Sequence, residues 1–354
     1  MDESIKIRSL NVSNYRGLSD LHITDLSTIN IFVGANNCGK TSVLEAIKLM
    51  SAPTDIGQLV AVALQRVQAT KDERLNNLVN YMLNIFHTEK DEDARKYYEI
   101  KLSADIDGAL YSYDVDGNVG EVTDSAAETK KVFDVAIKTT KDNRVNTYCT
   151  GKLINGEDTK LEATQVPLFT ALYLHSNVSY YKSCVKFLSE YIIADGKQDI
   201  LKILQTFDKH IEDISIVGND IYLFNSISGS LPLFSYGSGL QKALLLTSTI
   251  VNCKNGIILI DEIDNAIHVS AFKDVFKWFV DACIKNNVQA FITTHSMEAI
   301  DAILDIAHSN YSDEDLLRVI TLRKSAKDNS TSSKQRTGEK AFKDREMFRM
   351  ELRV

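Results

Sequence analysis

Apolar residues near the amino terminus recur first at strand spacing and then at helix spacing. Residues 5–12 nearly alternate between apolar and polar side chains, which predicts a half-buried strand, and a second strand is expected near residues 21–23. Residues 29–33 are mostly β-branched and apolar, which predicts a short buried strand. The apolar positions within residues 43–50 then follow a helical period, and Pro53 is expected to end that helix.

The segment 54–165 changes from a helical pattern to an alternating one. Residues 56–86 carry apolar side chains at helical spacing, whereas residues 97–104 and 110–115 alternate as strands do. The run Asp-Gly-Asn at 116–118 is a turn signal. We therefore interpret this segment as an insertion that is mostly helical first and antiparallel β afterwards, and no motif with recognisable chemistry stands out in it.

The remainder of the chain alternates between strands and helices. Residues 166–174 have the composition of a buried strand, and residues 185–207 return to helical spacing. Residues 257–260 and 288–293 are short apolar strands, separated by a predicted helix over residues 271–284. A strand–helix–strand order of this kind indicates βαβ units and an α/β fold with a mainly parallel sheet.

Length and composition set the scale of the molecule. The chain has 354 residues, of which 44% are hydrophobic and 25% charged. These fractions are ordinary for a globular chain with a sizeable core. At roughly 150 residues per domain, the length corresponds to about two domains or one domain with a large insertion.

Apolar runs and cysteines indicate a cytoplasmic protein with no membrane contact. The longest apolar runs, near residues 243–246 and 256–260, are far shorter than the about 20 residues that a membrane span requires. The acidic start at residues 1–4 does not have the pattern of a signal peptide. The five cysteines are an odd number without paired spacing, so we expect reduced thiols rather than a disulfide framework or a zinc site.

The net charge of -8 is unevenly distributed along the chain. Residues 318–354 contain 11 Lys and Arg against 5 acidic residues, a net charge of +6, which leaves -14 for the rest. An acidic body disfavours a wide surface for DNA, since phosphate contacts require clustered basic residues. The basic segment is compatible with contact to nucleic acid, with an acidic partner, or with a solvated terminus.

The strongest chemical signal is a complete G-x-x-x-x-G-K-[ST] motif between the strand at 29–33 and the helix that follows. Backbone N–H groups of such a loop and the positive end of the helix surround phosphate groups. Lys40 would reach the β- and γ-phosphates, and the hydroxyl of Thr41 would bind Mg²⁺. The predicted nucleotide contacts in this loop are Gly34, Asn36, Asn37, Cys38, Gly39, Lys40, Thr41 and Ser42.

Two further strand ends carry polar residues. Asp261 and Glu262 follow the strand at 257–260, where an acid would supply the second Mg²⁺ contact of a phosphate-binding-loop enzyme. We therefore predict Asp261 as a metal ligand with Thr41, and Glu262 as the base that activates or orients water. His295 follows the neighbouring predicted strand, where it could donate a hydrogen bond to the γ-phosphate.

A second anion site is predicted at the start of a later helix. The run Tyr236–Gln241 places Ser238 and Gly239 where a hydroxyl and backbone donors are exposed. One nucleotide does not normally use two such sites from one chain. We therefore expect Ser238, Gly239 and Gln241 to serve a nucleotide bound to another copy, in a homodimer or a higher homo-oligomer.

These motifs, in this order, resemble the ABC-type ATPases of the RecF/SMC/OLD kind, and within them the stand-alone OLD-like AAA ATP-binding proteins, many of which act in bacterial anti-phage defence. The resemblance covers residues 1–50 and about 166–310. It rests on the following runs: Asn14–Gly17, Val33–Ser42, Gly237–Gln241, Ile258–His268 and Thr294–Ser296.

The resemblance implies a fold, a set of ligands and an assembly. The fold would be an ATPase head with a mainly parallel sheet, an antiparallel β part and a helical lobe. This head would bind ATP and Mg²⁺. Its segments would be 1–53 and 166–323 for the head, 54–165 for a mixed α/β insertion, and 324–354 for a basic carboxy-terminal segment. Asp264–His268 would reach across a head-to-tail dimer, and Lys40, Glu262 and His295 would act in hydrolysis. Gln58 is a candidate for the glutamine that often approaches the metal in such proteins.

Three functions are compatible with this pattern. The first is the regulatory ATPase of a defence system that controls a separate effector, a nuclease or a toxin. The expectation of a separate polypeptide follows from the 58 residues after Ser296, which are too few for the nuclease domain of OLD proteins. The second is a RecF-like ATPase of DNA maintenance that clamps DNA, and the third is a scaffold that binds ATP with little hydrolysis. Glu262 disfavours the third, and the acidic body disfavours the second.

Overall fold

The computed structural model describes residues 5–86, 98–123, 128–157, 167–176, 180–193, 196–313, 315–325 and 330–353. The strands are β1 (Ile7–Tyr15), β2 (Leu18–Ile23), β3 (Ile29–Val33), β4 (Tyr98–Ile106), β5 (Ala109–Thr123), β6 (Thr129–Lys141), β7 (Arg144–Ile154), β8 (Ala171–Leu174), β9 (Ile211–Val217), β10 (Asp220–Asn225), β11 (Gly229–Pro232), β12 (Ile257–Ile260), β13 (Gln289–Thr293), β14 (Leu317–Lys324) and β15 (Thr331–Thr337). The helices are α1 (Lys40–Ser51), α2 (Ile56–Leu64), α3 (Lys71–Asn76), α4 (Leu78–Leu83), α5 (Tyr180–Ile193), α6 (Lys197–Phe207), α7 (Ser238–Asn252), α8 (Phe272–Lys285), α9 (Met297–Asn310) and α10 (Gly338–Phe348).

A six-stranded sheet in the order β15-β14-β3-β13-β12-β8 forms the centre of the fold. All neighbouring strands in it are parallel except β14 and β15. Every residue of β3, β12 and β13 is buried, as expected for strands covered on both faces. The α/β fold with a mainly parallel sheet is therefore confirmed.

The parallel sheet separates two hydrophobic cores. Along β3, Ile31 and Val33 face the core that contains α7, α8 and α9, whereas Phe32 faces the core that contains α1 and the antiparallel sheet. This division follows from the alternation of side chains along a strand. The resulting layers hold the carboxyl ends of β3, β13, β12 and β8 at one edge. None of the described helices has the length and apolar character needed to cross a membrane.

Strands from the predicted insertion continue a sheet that begins at the amino terminus. The second six-stranded sheet has the order β2-β1-β4-β5-β6-β7 and is antiparallel throughout. The change from helices to antiparallel strands is as predicted, with α2 to α4 preceding β4 to β7. The pairing of β1 with β4 joins the strands after residue 97 to the amino-terminal hairpin through backbone hydrogen bonds.

The predicted turn at 116–118 is wrong, because these residues lie inside β5. Gly117 is paired with Val135 of β6, and the ring of Phe133 lies over it. A Cβ atom at position 117 would be 2.1 Å from Phe133 Cζ. The glycine therefore makes room for an aromatic ring, and the long-range pairing overrides the local turn preference of Asp-Gly-Asn.

The polar, low-complexity composition of residues 325–337 predicts a mobile segment, but the described part of this run is ordered. Residues 326–329 lie outside the described residues, but β15 pairs with β14 along its whole length. Thr331 and Arg336 are buried, and Arg336 forms an ion pair with Asp344 of α10. Residues 331–337 thus form an edge strand of the parallel sheet. The sequence pattern also missed the small antiparallel sheet β11-β10-β9.

Candidate functional site

The loop between β3 and α1 has a backbone path that depends on its two motif glycines. Gly34 and Gly39 have φ angles of 143° and 98°, in the region that favours glycine. A Cβ atom at Gly39 would lie 2.3 Å from Leu18 Cδ2, and one at Gly34 would lie 2.4 Å from the Leu322 carbonyl oxygen. Both positive φ angles favour glycine, and at Gly34 the nearby backbone oxygen also excludes a Cβ atom for steric reasons.

Lys40 is the first residue of α1, and its side chain folds back over the loop. Its Nζ donates hydrogen bonds to the carbonyl oxygens of Gly34 (2.8 Å) and Ala35 (2.9 Å). Burial lowers the pKa of Lys40, and the nearby Cys38, Asp261 and Glu262 oppose that shift. The ammonium group is thus held beside the loop backbone by groups that an anion could replace.

The other loop residues differ in exposure. Asn36 and Asn37 are exposed, and Asn37 has a positive φ of 63°. Cys38 is buried, with its sulfur 3.8 Å from Lys40 Nζ. Ser42 is buried within the first turn of α1, and its hydroxyl lies 3.5 Å from Arg66 Nη2.

Thr41 and Asp261 meet at the carboxyl edge of the parallel sheet. The Thr41 hydroxyl donates to both carboxylate oxygens of Asp261 at 3.1 Å. The Thr293 hydroxyl, at the end of β13, donates to Oδ1 of Asp261 at 2.7 Å. Two residues that are 220 positions apart are brought together because β3 and β12 both pair with β13.

Glu262 has a left-handed backbone conformation, with a φ of 54°. Its N–H group donates to the Thr293 hydroxyl at 2.8 Å, which holds the residue after Asp261 against the end of β13. Non-glycine residues adopt this conformation at a cost of about 1–3 kcal/mol, and they do so where the surrounding structure enforces it. The path of the chain at the predicted base is therefore set by its neighbour strand.

His295 follows Thr294 in the loop after β13. Burial lowers the pKa of His295, and the positive charge of Lys40 lowers it further, against the attraction of Glu262, Asp264 and Asp261. A neutral imidazole at pH 7 has one ring N–H donor and one acceptor nitrogen. His295 can therefore donate a hydrogen bond without carrying a charge.

The start of α7 contacts the 264–268 loop. The Ser238 hydroxyl donates to the Ala266 carbonyl oxygen at 3.4 Å, and Gly239 approaches the same oxygen. Gln241 is turned back, with its Nε2 donating to the Tyr236 carbonyl oxygen at 2.9 Å. Ala266 has a φ of 68°, and Asp264 accepts a hydrogen bond from the Thr294 hydroxyl at 2.5 Å. The two segments predicted to reach another copy thus lie against one another.

Gln58 does not approach Thr41 in this structure. Its Nε2 donates to the carbonyl oxygens of Lys48 (2.6 Å) and Leu49 (3.4 Å) near the carboxyl end of α1. These carbonyls are orphan acceptors at the end of a helix, so the side chain acts as a cap. Lys48 lies about two turns along α1 from Thr41.

Sequence reasoning missed a buried carboxylate one turn beyond Thr41. Glu45 is fully buried and accepts hydrogen bonds from Arg16 Nε (2.7 Å), Arg66 Nε (2.7 Å) and the Tyr15 hydroxyl (3.1 Å). Gln65 also donates to it. This cluster ties the first hairpin and the chain after α2 to the helix of the phosphate-binding loop. The arginine in the Asn14–Gly17 run was its visible signal.

His175 is a second residue that sequence reasoning missed. It follows β8, which is parallel to β12, and the N–H of Asp261 donates to the Leu174 carbonyl oxygen at 2.9 Å. Its ring contacts that of Tyr173 at a 40° tilt with the centroids 3.8 Å apart, and burial lowers the pKa of His175. Its place at a strand end beside Asp261 was the signal that could have identified it.

Known proteins are similar to this chain over most of its length. A 334-residue alignment with the ATP/GTP phosphatase of Helicobacter pylori (strain ATCC 700392 / 26695) has 23% identity and covers 84% of this chain and 87% of that protein. The DNA replication and repair protein RecF of Coxiella burnetii (strain Dugway 5J108-111) is 49% identical over 45 residues, 13% of each chain. The crystal structure of the SMC head bound to the C-winged helix domain of ScpA has a TM-score of 0.50 with 14% identity, and covers 95% of this chain and 99% of that one. At this identity, the last likeness concerns the fold alone.

A family model covers most of the candidate site. The model described as "AAA domain, putative AbiEii toxin, Type IV TA system" matches residues 29–301, which include the loop before α1, the start of α7 and the ends of β12 and β13. Because this match spans well over half of the chain, the protein belongs to that family of AAA domains and is an ATPase.

Proposed function

We propose that the chain hydrolyses ATP with Mg²⁺ at the edge of the parallel sheet, between the loop before α1 and the ends of β12 and β13. The observation that supports this proposal most directly is the hydrogen bond from the Thr41 hydroxyl to the Asp261 carboxylate, with 3.1 Å between the oxygens. A threonine hydroxyl at the start of the loop helix and a strand-end carboxylate are the protein ligands expected for a phosphate-bound Mg²⁺.

The residues present fit a magnesium ion. A hydroxyl and a carboxylate are hard oxygen donors, and Mg²⁺ is usually held by one or two such groups together with substrate phosphates and water. When bound, Mg²⁺ would neutralise phosphate charge and polarise the terminal phosphoryl group. Thr41 and Asp261 would hold it, and Thr293 would orient the Asp261 carboxylate through the 2.7 Å hydrogen bond.

Lys40, Glu262 and His295 would bind phosphate or accept the proton of the attacking water. Lys40 would exchange the carbonyls of Gly34 and Ala35 for phosphate oxygens, and the N–H groups of the loop would donate to the same anion. Glu262 would accept a proton from the attacking water. His295 would donate a hydrogen bond to the terminal phosphate, a role compatible with the neutral state that its burial favours.

Assembly is part of the proposal. Ser238 and Gly239 would contact a nucleotide held by a second copy, so that two ATP molecules lie between two chains. The contact of Ser238 with Ala266 supports this, because the α7 start and the 264–268 loop then form one surface. A ligand that bridges two chains stabilises the assembly by its differential affinity for the associated state.

We further propose that the ATPase regulates a separate effector, a nuclease or a toxin, in an anti-phage defence system of the cytoplasm. The assignment of its family to type IV toxin–antitoxin systems supports a defence role. The cysteines that the structure describes, Cys38, Cys149, Cys253 and Cys283, are free thiols, which suits a reducing compartment.

A second candidate is a RecF- or SMC-like ATPase that clamps DNA. The local match to RecF and the likeness to the SMC head favour it. The ion pairs of the basic segment weigh against it, since Arg336, Lys343 and Arg345 are paired with Asp344, Glu339 and Asp301. Less of the segment's positive charge is then available to phosphates.

The direct test is ATP hydrolysis by the purified chain. Phosphate release is measured with Mg²⁺ and with excess chelator, for the wild type and for Lys40→Ala and Asp261→Ala. Loss of turnover in both variants and without metal is expected, while the surface variant Arg144→Ala should hydrolyse at the wild-type rate. Undiminished hydrolysis in Asp261→Ala would contradict the site.

A further inference from the structure

The last described residues of the chain return to the ATP site. Helix α10 ends at Phe348, and Arg349, which follows it, has a φ of 47°, so the chain reverses there. The N–H groups of Arg349 and Met350 donate to the carbonyl oxygens of Arg345 (3.0 Å) and Asp344 (3.1 Å). Such a left-handed ending closes a helix and redirects the chain that follows it. Residues 350–353 are thereby directed toward the carboxyl edge of the parallel sheet.

Two anchors hold this returning segment, which we call the carboxy-terminal clasp (residues 349–353). Leu352 is fully buried, and its carbonyl oxygen accepts a hydrogen bond from the Thr321 hydroxyl of β14 at 2.7 Å. Arg345 donates to the Met350 carbonyl oxygen at 2.9 Å and forms two hydrogen bonds to Asp301 of α9, at 2.7 and 2.6 Å. The clasp is therefore joined to β14, α9 and α10.

Arg353 links the clasp to the loop after β13. Its Nη1 donates to the carbonyl oxygen of His295 at 2.7 Å. Glu351 holds the same guanidinium through two further hydrogen bonds, at 2.7 and 2.8 Å. A planar guanidinium held by a carboxylate in this manner has a defined orientation. Arg353 in turn keeps the pKa of Glu351 low, at about 2, so the pair stays charged at neutral pH.

The carbonyl that Arg353 holds lies between two other fixed points of the loop. Thr294 is tied to Asp264, and the Ser296 hydroxyl caps α9 by accepting from the Ala299 N–H at 3.0 Å. Arg353 therefore fixes the backbone of His295, which lies between Thr294 and Ser296. The imidazole of His295 is the group proposed to donate a hydrogen bond to the terminal phosphate.

We propose that Arg353 is a positioning residue for ATP hydrolysis, which acts by holding the His295 backbone so that the imidazole is aimed at the nucleotide. This inference rests on the proposed role of His295. It adds that hydrolysis depends on a carboxy-terminal segment 58 residues away in sequence. The clasp acts through the His295 backbone, where it reduces the number of orientations that the imidazole can adopt.

A double-mutant cycle tests the coupling. The variants are Arg353→Ala, His295→Ala and the two together, with Arg353→Lys as the conservative change and Arg144→Ala as the matched control. Arg144 is exposed at the start of β7, on the other sheet. Steady-state kcat and KM are measured with the affinity for a fluorescent ATP analogue and the thermal unfolding midpoint.

Arg353→Ala is expected to lower kcat by about three- to tenfold, with a smaller change in KM, because an orientation is lost while the phosphate-binding loop is unchanged. Arg353→Lys should recover part of that loss. The double variant should be no slower than His295→Ala, since Arg353 has no residue left to position. The unfolding midpoints of Arg353→Ala and Arg144→Ala should be similar, because the Arg353 side chain is 37% exposed.

Three results would overturn the inference. The first is a kcat of Arg353→Ala equal to that of the wild type while the kcat of His295→Ala is reduced. The second is a fall in the kcat of the double variant equal to the product of the two single falls, because independent effects combine in that way. The third is a wild-type kcat in His295→Ala, which would contradict the proposed role of His295 itself and remove the basis of the clasp with it. The single His295 variant thus separates failure of the proposed function from failure of the coupling.

Discussion

The Thr293 hydroxyl donates a 2.7 Å hydrogen bond to the carboxylate of Asp261. The same hydroxyl accepts a hydrogen bond from the N–H of Glu262 at 2.8 Å. One side chain at the end of β13 therefore orients the proposed metal ligand and the backbone of the proposed base at the end of β12. Thr293 is 1% exposed, so water does not replace either bond readily.

Replacing Thr293 by valine should therefore impair both residues. The isosteric change leaves the Asp261 oxygen and the Glu262 N–H without this partner, at a cost of about 1–3 kcal/mol in the free energy of unfolding. We expect kcat to fall by about tenfold or more and the Mg²⁺ requirement to rise. Thr293→Ser retains the hydroxyl and is the matched control. Equal hydrolysis in the valine and serine variants would show that the bond is dispensable.

Glu262→Gln should separate ATP binding from hydrolysis. The amide keeps the shape of the side chain but is a poor proton acceptor, so turnover should be lost while nucleotide affinity stays near that of the wild type. Equilibrium binding of a fluorescent ATP analogue and phosphate release are the two measurements. Hydrolysis at the wild-type rate in this variant would show that Glu262 is not the base.

ATP should promote association of two chains, most visibly in the Glu262→Gln background. Ser238→Arg places a large cation at the exposed start of α7 and should abolish this association while each chain stays folded. Light scattering with and without ATP measures the mass, and circular dichroism checks the fold. A monomer under every condition would be incompatible with the proposed sandwich.

The lowered pKa of Lys242 should make the free energy of unfolding depend on pH. It is fully buried in α7, and burial lowers its pKa to about 8, despite the nearby Asp264, Glu262 and Asp261. The unfolded chain then binds more protons than the folded one between about pH 8 and 10.5, so this group favours folding increasingly as pH rises through that range. Below pH 8 the buried charge disfavours folding by about 3 kcal/mol, and this cost disappears as the pH rises to 10.5.

The measurement for Lys242 is urea denaturation of the wild type and of Lys242→Met at pH 7.5 and 9.5. The wild type should gain free energy of unfolding relative to the variant at the higher pH, because methionine does not titrate. An unchanged difference between the two proteins would show that the pKa of Lys242 is not lowered in the folded state.

The basic carboxy-terminal segment offers a test of partner binding. Lys340 and Lys343 are exposed on α10, where Lys343 also pairs with Glu339. Arg345 is instead engaged with Asp301 and holds the clasp through the Met350 carbonyl oxygen. Reversing the charge of Lys340 and Lys343 should weaken binding of an acidic partner or of nucleic acid without lowering basal hydrolysis. The probes are a single-stranded oligonucleotide and a duplex of the same length, titrated at several salt concentrations.

A steep linear fall of log affinity with log salt would identify phosphate contacts and favour the DNA-clamp alternative. Weak binding with a shallow slope is the result expected for a regulatory ATPase whose partner is a protein. Cleavage of either probe by the purified chain, when it is abolished by a change outside the ATP site, would contradict the proposal of a separate effector.

The sequence alone determined the parts of this protein that depend on local pattern. The glycine spacing of the loop, the apolar strands before it and before Asp261, and the strand–helix–strand order predicted a parallel sheet with polar residues at one edge. These signals are reliable because a phosphate-binding loop requires particular residues at short spacing, and because buried parallel strands are uniformly apolar.

Only the tertiary structure decided the contacts between distant segments. The pairing of β1 with β4 joins the insertion to the first hairpin, and the ring of Phe133 accounts for Gly117 inside a strand. The buried Glu45 gathers its partners from two segments, and Arg353 reaches back to His295. No local spacing marks these partners, because a hydrogen bond between residues far apart in sequence depends on where the sheets bring the chain, and the same residue types occur throughout the surface.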